Sequence, residues 1–524
     1  FFSLFSLPRT MQPLPEQIPL VLFEDDHLLV VNKPAGWNTH APSPWAGEGL
    51  YDWLRHREPR WASLAIIHRL DKETSGVLVF GKTPLANRSL TSQFEQKTIR
   101  KTYLLVTDRP VPQTELTVVS KLVRAGERYL SRPWTSGEGR AETRFRVRNR
   151  TPRQTWIEAE PITGRTHQIR AHAAAQGFPV LGDALYGGTP AARVALHAER
   201  LTLTHPASGQ AMTFQAPGDP LADSRESLRH AMLDTRLTNA YRLIHGAADG
   251  WPGWQVDRLG DYVLSQSERP LTPAQTSFLE RLLSTPSSIL HPPFSLLPPP
   301  RGVYHKLLRR QVGRSSPQES SPQLVLGEAA PDPFFILENG LRFSLSFNQG
   351  YSVGLFLDQR DNRRRLRVNH VAAEFPLDPA GPGAAAGSAA APGELLNTFA
   401  YTCGFSVCAA KNGWRTTSLD LSKKYLEWGK QNFTANQLDP EQHDFIYGDV
   451  FDWLRRWHKK GRAFDLIVLD PPTFSRSKTQ GIFQAQTHYG RLLALAVPLL
   501  KPGGVLLACG NAADWKPEAF SETV

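Results

Sequence analysis

Asp71 lies in the segment HRLDKETSGVLVF, His68 to Phe80, where a polar loop feeds straight into an apolar run. Catalytic groups concentrate on loops that rigid strands hold in place. Taken alone, this Asp is better explained by a strand-leading turn in which Thr74, Ser75 and Gly76 make the bend. Three more segments rich in chemical groups follow it: KTYLLV from Lys101, TGRTHQIRAH from Thr163, and GDALYGG ending at Gly188.

A second set of residues lies more than 300 positions on. LLNTFAYTCGFSVCAAKNGWRTTSLDLS, Leu395 to Ser422, reads as strand, tight turn, helix, strand and then an acid. In nucleotide-binding folds such a turn needs small residues so that backbone can approach the ligand, and the acid binds ribose hydroxyls. Gly404 supplies the turn, and Asp420 follows 16 residues later, near the usual spacing of about 20. GDVFDWL sets Asp449 behind the next strand, where a contact to an adenine amino group is expected. DLIVLDPPTFSRSK sets Asp470, Pro471 and Pro472 at a strand's carboxyl end, where ligands of open α/β sheets bind. A proline pair continues neither a helix nor a central strand, so it forces a rigid loop there. With a single glycine in the turn, a generic βαβ unit remains the plain alternative.

The elements that must position these groups fall into three regions. Residues 20–31 read as two short strands around an Asp-Asp turn, 77–80 and 103–106 as further short strands, and HQIRAHAAAQG as a helix stopped by Gly177. This region runs through residues 1–222 to the boundary marked by APGDPLADS. Residues 228–335 follow, with strand-like alternation in TNAYRLIHGAADGWPGWQVDRLGDYVLSQ and two loop-like stretches, PSSILHPPFSLLPPP and GRSSPQESSPQ. Residues 336–524 open with a hairpin-like ENGLRFSLSF and a basic helix over DNRRRLRVNHVAAEF. PLDPAGPGAAAGSAAAPG reads as a flexible insertion. Strands ELLNTFAY, TTSLDL, HDFIYGD, FDLIVLD and GVLLAC then alternate with helices, which predicts a parallel α/β sheet.

The chain has 524 residues, too many for one ordinary core, and a net charge of +11. That charge favours a polyanionic partner. No apolar run approaches the 18–20 residues, roughly, of a membrane span, and the opening FFSLFSLPRT lacks a basic leader and a small-residue cleavage site. The three cysteines, Cys403, Cys408 and Cys509, have no zinc-ligand spacing, and a reducing, cytoplasmic setting is expected. Met11 is a candidate start, and the chain stops inside a helix expected from Pro517, so a fragment is expected. No helix-turn-helix or zinc-finger pattern supports a DNA-binding regulator.

Taken together, the four early motifs resemble the RluA-type pseudouridine synthases over residues 20–215, about the whole first region. The resemblance implies an α+β domain with a mixed, largely antiparallel sheet and no cofactor or metal. Asp71 would be the catalytic carboxylate, acting on the uridine sugar so that the base detaches, rotates and rejoins through carbon 5. Desolvation would raise its pKa in a water-poor pocket, and Arg165 would be the cation that offsets this. Tyr103 would stack on the target base, and Arg69 would take the place of the extruded base. Leu70 and Ile169 read as packing. The residues ahead of the first strand are too few for the small RNA-binding domain that many relatives carry there.

HGAADGWPGWQVDRLGDY, GLFLDQRDNRR and the DPP segment resemble the RlmI/RlmK-type class I S-adenosylmethionine-dependent rRNA methyltransferases over residues 228–515. This implies a small α/β middle domain and an α/β Rossmann-like methyltransferase domain, incomplete at its C-terminus. S-adenosylmethionine would contact Asp358, Arg360, Asn397, Phe399, Gly404, Asp420, Asp449 and Asp470, with Gln359 helping to close the site. The methyl-accepting base would meet Pro471, Pro472 and Asn511. A solvated basic helix start is the plain alternative for Arg360. Cys403 stands where the family turn usually has Gly. Asn511 stands where the cytosine branch has its nucleophilic Cys, and Cys509 is two residues early, so the acceptor leans to a guanine nitrogen with cytosine C5 open. The expected partner is large-subunit rRNA, with transfer RNA second. A second half that serves only as an RNA-binding or ribosome-assembly module is the competing reading.

Overall fold

Every residue of SGVLVFG, Ser75 to Gly81, is buried, because this strand lies deep inside a broad sheet. The computed structural model describes residues 18–43, 47–284, 297–308, 321–350, 352–372, 375–377, 392–477, 481–512 and 515–524. They form two compact units, 18–233 and 234–371 with 375–524, three residues (372–374) counting with the first. Residues 286–296 of PSSILHPPFSLLPPP, residues 313–320 of GRSSPQESSPQ and most of the alanine-rich insertion lie outside the described residues.

The first unit is built on eleven strands: β1 (Val21–Glu24), β2 (Leu28–Lys33), β3 (Ala65–Ile66), β4 (Ser75–Gly81), β5 (Arg100–Thr107), β6 (Glu115–Ala125), β7 (Arg128–Pro133), β8 (Arg140–Arg150), β9 (Thr155–Pro161), β10 (Leu196–Thr204) and β11 (Ala211–Gln215). They run β1-β2-β4-β10-β5-β9-β8-β6-β7, with β3 on β4 and β11 on β10. The β4–β10 pair is parallel and the other pairs are antiparallel. The mixed sheet is the one the motifs imply. At the start of β4, Gly76 has φ +116°, and a Cβ there would lie 2.1 Å from the carbonyl oxygen of Ala198 on β10. Only glycine lets the Asp71 loop enter the sheet beside β10. The helix Ser224–Ala231 belongs to this unit: Leu20 N donates to Ala231 O at 3.1 Å, so the unit ends near Leu233, beyond the boundary expected at 222.

In the second unit, β12 (Ala240–His245), β13 (Trp254–Leu259), β14 (Tyr262–Ser267), β15 (Gly302–Leu307) and β16 (Gln323–Gly327) form a sheet in chain order. The hairpin β17 (Phe334–Glu338) and β18 (Leu341–Leu345) turns through Asn339 and Gly340, both at positive φ. The five-stranded parallel sheet contains β19 (Glu394–Thr398), β20 (Arg415–Asp420), β21 (Asp444–Tyr447), β22 (Phe464–Leu469) and β25 (Leu500–Ala508), ordered β21-β20-β19-β22-β25. A hairpin that the sequence did not announce, β23 (Phe474–Ser477) with β24 (Gly481–Gln484), follows the proline pair. The helix Pro517–Thr523 stands where Pro517 predicts one.

Two expectations need correction. The basic helix spans only Arg360–Arg367: Asn369 at φ +52° ends it and His370 starts an extended segment. It is not a solvated surface either. Arg363 is 3% exposed and donates from Nε and Nη2 to the two oxygens of buried Glu338, at 2.6 and 2.8 Å. Gly404, expected to make the turn, is instead the first residue of the helix Gly404–Ala410. A Cβ on it would press on Leu355 and Arg363 at 3.1 and 3.2 Å, so its bareness serves packing.

The left-handed positions of that turn are Phe399, Tyr401 and Cys403, at φ +54°, +49° and +62°. Each costs roughly 1–2 kcal/mol in a non-glycine residue. Hydrogen bonds hold the turn: Tyr401 N donates to Asp420 Oδ2 at 2.8 Å, Cys403 N to Ala400 O at 2.7 Å, and Asn432 Nδ2 to Thr402 O at 3.0 Å. The Cys403 side chain turns inward against the helix Lys423–Ala435, where a Cβ on Gly429 would lie 2.4 Å from its sulfur. Gly429→Ala should therefore cost about 2–3 kcal/mol in denaturant unfolding, and Cys403→Gly in the same chain should recover most of that loss. Additive effects in the double variant would contradict the contact.

Candidate functional site

In the first unit, Asp71 stands on the loop between β3 and β4 and opens on a cleft of about 1040 Å³ that Arg69, Lys101, Tyr103, Arg165, His167 and Arg170 help to line. The loop is tied from below. The fully buried ammonium of Lys33 donates to the carbonyls of Pro34, Trp37 and Lys72, at 2.9, 2.6 and 3.1 Å, using all three of its protons next to Asp71. Burial pushes the Lys33 pKa down to about 7, against the opposing pull of Glu73 and Asp71. Under β4, Ser75 Oγ meets His197 Nδ1 at 2.7 Å and accepts from Arg193 Nη2 at 2.6 Å.

The guanidinium that reaches Asp71 is that of Arg170, not Arg165. The helix starts only at Gln168, so Arg165 stays on the exposed loop before it, while Arg170 is buried on the helix. Arg170 donates from Nε and Nη2 to Asp183 Oδ2 and Oδ1 at 2.6 and 2.8 Å, which leaves Nη1 at 3.7 Å from Asp71 Oδ2. The sequence held a signal for this: a buried Arg needs a carboxylate, and GDALYGG supplies Asp183. Tyr103 on β5 stands opposite Ala159 on one side and Ala198 on the other, so small residues flank its ring on the same face of the sheet. Burial, and then the charge of Asp71, raise its phenol pKa. Arg69 is exposed, while Leu70 and Ile169 are packed in the core. The water-poor pocket expected around Asp71 is not formed by this chain alone, since the side chain is 30% exposed.

In the second unit, the carboxyl ends of the parallel strands gather the other acids. Asp420 ends β20, accepts from Tyr401 N and Ser422 N at 2.8 Å each, and has its pKa raised by burial. Asp449 caps the helix Val450–Lys459 by accepting from Phe451 N and Asp452 N. Beside it is a slot lined by Phe399, Leu421, Phe451, Ile482 and Phe483. Phe483, from the unannounced hairpin, has ring centroids 5.8 and 5.9 Å from those of Phe399 and Phe451. A slot faced by three phenylalanine rings, with Asp449, His488 and Arg491 also in its lining and Asp420 at the end of a neighbouring strand, fits an adenosyl group.

Gln359 Nε2 donates to Asp470 Oδ1 at 3.1 Å, and its own oxygen accepts from Asn362 Nδ2 at 2.7 Å. Burial and the charge of Asp358 push the Asp470 pKa up to about 6. Cys509 is buried, 3.8 Å from Gln359 Oε1, and burial pushes its thiol up to about 12. Pro471 is buried, Pro472 half-buried, and exposed Asn511 accepts from Thr473 Oγ1 at 2.9 Å. Asp358 is exposed, and Arg360 pairs with Asp361 at 3.2 Å. Asn397 stands apart from this group: it is 1% exposed and donates to Ser406 Oγ inside the sheet. Among the described residues no group of three or more His, Cys, Asp and Glu is arranged to hold a metal ion, and no helix is long and apolar enough to cross a membrane.

Comparison with known proteins gives two family matches: RNA pseudouridylate synthase over residues 27–175, and S-adenosylmethionine-dependent methyltransferase over residues 383–524. The chain is 37% identical over 230 residues to ribosomal large subunit pseudouridine synthase C of Yersinia pestis, covering 41% of this chain and 69% of that protein. It is 32% identical over 291 residues to a ribosomal RNA large subunit methyltransferase of Deinococcus radiodurans, covering 55% of this chain and 63% of that protein. Among solved structures it is similar to a SAM dependent methyltransferase from Agrobacterium tumefaciens, with 21% identity, a TM-score of 0.39, and coverage of 54% of this chain and 78% of that one.

Asp470 offers a test of this electrostatic arrangement. Its pKa rises from 3.8 in the unfolded chain to about 6 in the folded one. The stability it contributes is therefore full below about 3.8 and is lost as pH rises through about 6. Asp470→Asn should melt higher than wild type at pH 7.5, by about 1–2 kcal/mol given partial exposure, and equally at pH 4. Equal melting at both pH values would show that no buried charge is being carried there.

Proposed function

The chain belongs to the RNA pseudouridylate synthase family and carries an S-adenosylmethionine-dependent methyltransferase domain behind it, and on that footing we propose that it makes two modifications, a pseudouridine and a methylated base, on large-subunit ribosomal RNA in the cytoplasm. The observation that carries the first activity is the locked Arg170, whose one unused amino group faces Asp71. Asp71 is the acting carboxylate. Whether it attacks carbon 1′ or takes a proton from carbon 2′, it acts as a carboxylate, and Arg170 faces it with a positive charge where Arg165 was expected to. The extruded uridine enters the cleft and covers Asp71. Tyr103 lies against the base, and Arg69, at the mouth, fills the gap left in the RNA stack.

For the second activity, Asp420 takes the ribose hydroxyls, Asp449 the adenine amino group, and the slot of Phe399, Phe451 and Phe483 the adenine ring. When bound, S-adenosylmethionine supplies an electrophilic methyl group. The accepting base lies over Pro471 and Pro472 beside Asp470, whose pKa near neutrality suits it to accept a proton from a ring or amino nitrogen. A guanine nitrogen is the acceptor this reading favours. The alternative, cytosine C5, needs a thiolate to add to carbon 6, and the Cys509 thiol is held protonated by burial.

Asp71→Asn should abolish pseudouridine formation by the purified chain while RNA binding survives, and substantial residual pseudouridine would refute the assignment. Asp420→Ala should weaken S-adenosylmethionine binding roughly tenfold to a hundredfold in calorimetry, as the loss of about 1–3 kcal/mol of hydrogen bonding requires. Unchanged affinity would remove Asp420 from the site. Cys509→Ser should keep methyl transfer to ribosomal RNA with a methylguanine product. Loss of activity, together with 5-methylcytosine as the wild-type product, would make Cys509 the nucleophile.

A further inference from the structure

His167 has no role in the reading given so far, yet its ring stands between Asp71 and a chain of donors whose directions are fixed. It sits at φ +54°, just ahead of the helix that carries Arg170. The chain of donors begins at Tyr129, whose backbone N–H donates to the phenol oxygen of Tyr186 at 2.8 Å. A phenol oxygen has one good in-plane lone pair, and this bond uses it. That leaves the Tyr186 proton to be given to His167 Nδ1, 3.1 Å away. With Nδ1 accepting, a neutral imidazole carries its proton on Nε2. That nitrogen faces Asp71 Oδ2 at 3.9 Å.

The groups around the ring favour its neutral form. Burial lowers the His167 pKa below its ordinary value, opposed by the charge of Asp71, assisted by Arg170 and opposed again by Asp183. Tyr129 and Tyr186 pack edge-on against it, with ring centroids at 5.8 and 5.7 Å. The oxygen it faces is the one that Arg170 Nη1 also faces, at 3.7 Å. The two donors thus converge on Oδ2.

We propose that His167 is a positioning residue for Asp71. Tyr186 sets its tautomer, its Nε2–H donates to Oδ2, and together with Arg170 it leaves Oδ1 as the oxygen presented to the nucleotide. The gap of 3.9 Å is too long for a hydrogen bond. A side-chain shift of about 1 Å would close it when the nucleotide fills the cleft, as is common for contacts that tighten only in the reactive complex. The inference rests on the synthase reading of Asp71 and adds to it how that carboxylate is oriented.

The test is single-turnover pseudouridine formation by the full chain on unmodified large-subunit ribosomal RNA at pH 7.5. Tyr186→Phe keeps the ring under the Arg170 guanidinium, now 5.1 Å from its centroid, and removes the hydroxyl, with it the proton that sets the tautomer and the acceptor of the Tyr129 N–H. It should lower the rate at saturating RNA about tenfold and leave the RNA concentration for half-maximal rate unchanged. His167→Ala should lose at least as much, and adding Tyr186→Phe to it should change nothing further, because Tyr186 acts through His167. His167→Gln places an amide N–H near the position of Nε2 and should recover most of the rate, whereas His167→Asn, whose amide mimics Nδ1, should not. If His167→Ala fails to fold, the Gln and Asn pair carries the comparison. Wild-type rates in Tyr186→Phe, equal rates in the Gln and Asn variants, or multiplicative losses in the double variant would each overturn the proposal with the synthase reading intact. An active Asp71→Asn chain would overturn both.

Discussion

The buried ion pair of Arg170 and Asp183 is the constraint around which the first site is arranged. Asp183 is 1% exposed and Arg170 5%, so neither charge is solvated and each needs the other. Two of the guanidinium's three nitrogens are used on Asp183, and the geometry of a planar fork then dictates where the third points. A lysine could balance the charge but could not aim in this way. The pair also fastens the loop of GDALYGG to the helix of TGRTHQIR, so two segments distant from Asp71 in sequence are set around it by one contact. The second unit uses the same device at Arg363 and Glu338, where a buried fork joins the end of the hairpin β17–β18 to the helix Arg360–Arg367 and so fixes the residues just ahead of it, Asp358 and Gln359.

Lys33 shows what such burial costs. Among the described residues its ammonium has no carboxylate in contact and relies on three carbonyls. The chain accepts an amine whose charge is barely favoured at neutral pH in return for backbone that ties the loop after β2 to the Asp71 loop. Asp470 is the anionic counterpart in the second unit: burial and a neighbouring acid make its charge unfavourable. Both groups are poor choices for stability alone, and both adjoin residues to which chemistry is assigned.

Much of this was legible in the sequence. Alternation and turn residues gave β1, β2, β4, β5 and the parallel strands β19, β20, β21, β22 and β25, and motif order gave both activities. What was not legible depends on side-chain direction. Arg165 and Arg170 share one short motif, and only the start of the helix at Gln168 decides which of them is inside. Gly404 looked like the turn residue because it is the only glycine there, but the positive φ angles fall on Phe399, Tyr401 and Cys403, held by partners as distant as Asn432. The hairpin β23–β24 was hidden because FSRS and GIFQ are short and weakly patterned, and with it Phe483 was missed. The basic run of DNRRRLRVNH looked solvated because Glu338, which pairs with Arg363, lies 25 residues earlier.

The close approach at Gly76 has a bearing on how the first unit comes into being. Strand β4 meets its neighbour β2 through a connection of modest length, but its parallel partner β10 lies 122 residues away, measured from Ser75 to His197. The entropy of closing a loop grows only slowly with its length, about 0.6 kcal/mol per doubling, but the search for so distant a partner is slow. Until β10 is seated, β4 and β5 are not joined, and Asp71 and Tyr103 belong to separate halves of an unfinished sheet. A growing chain that has already emerged through Tyr186 holds every acidic, basic and aromatic group assigned to the first reaction, yet its unfinished sheet does not hold them in one place. The first site thus comes together with a strand that contributes its backbone, His197 against Ser75 and the small Ala198 beside Tyr103, and in a nascent chain the assigned groups are gathered only when that strand docks.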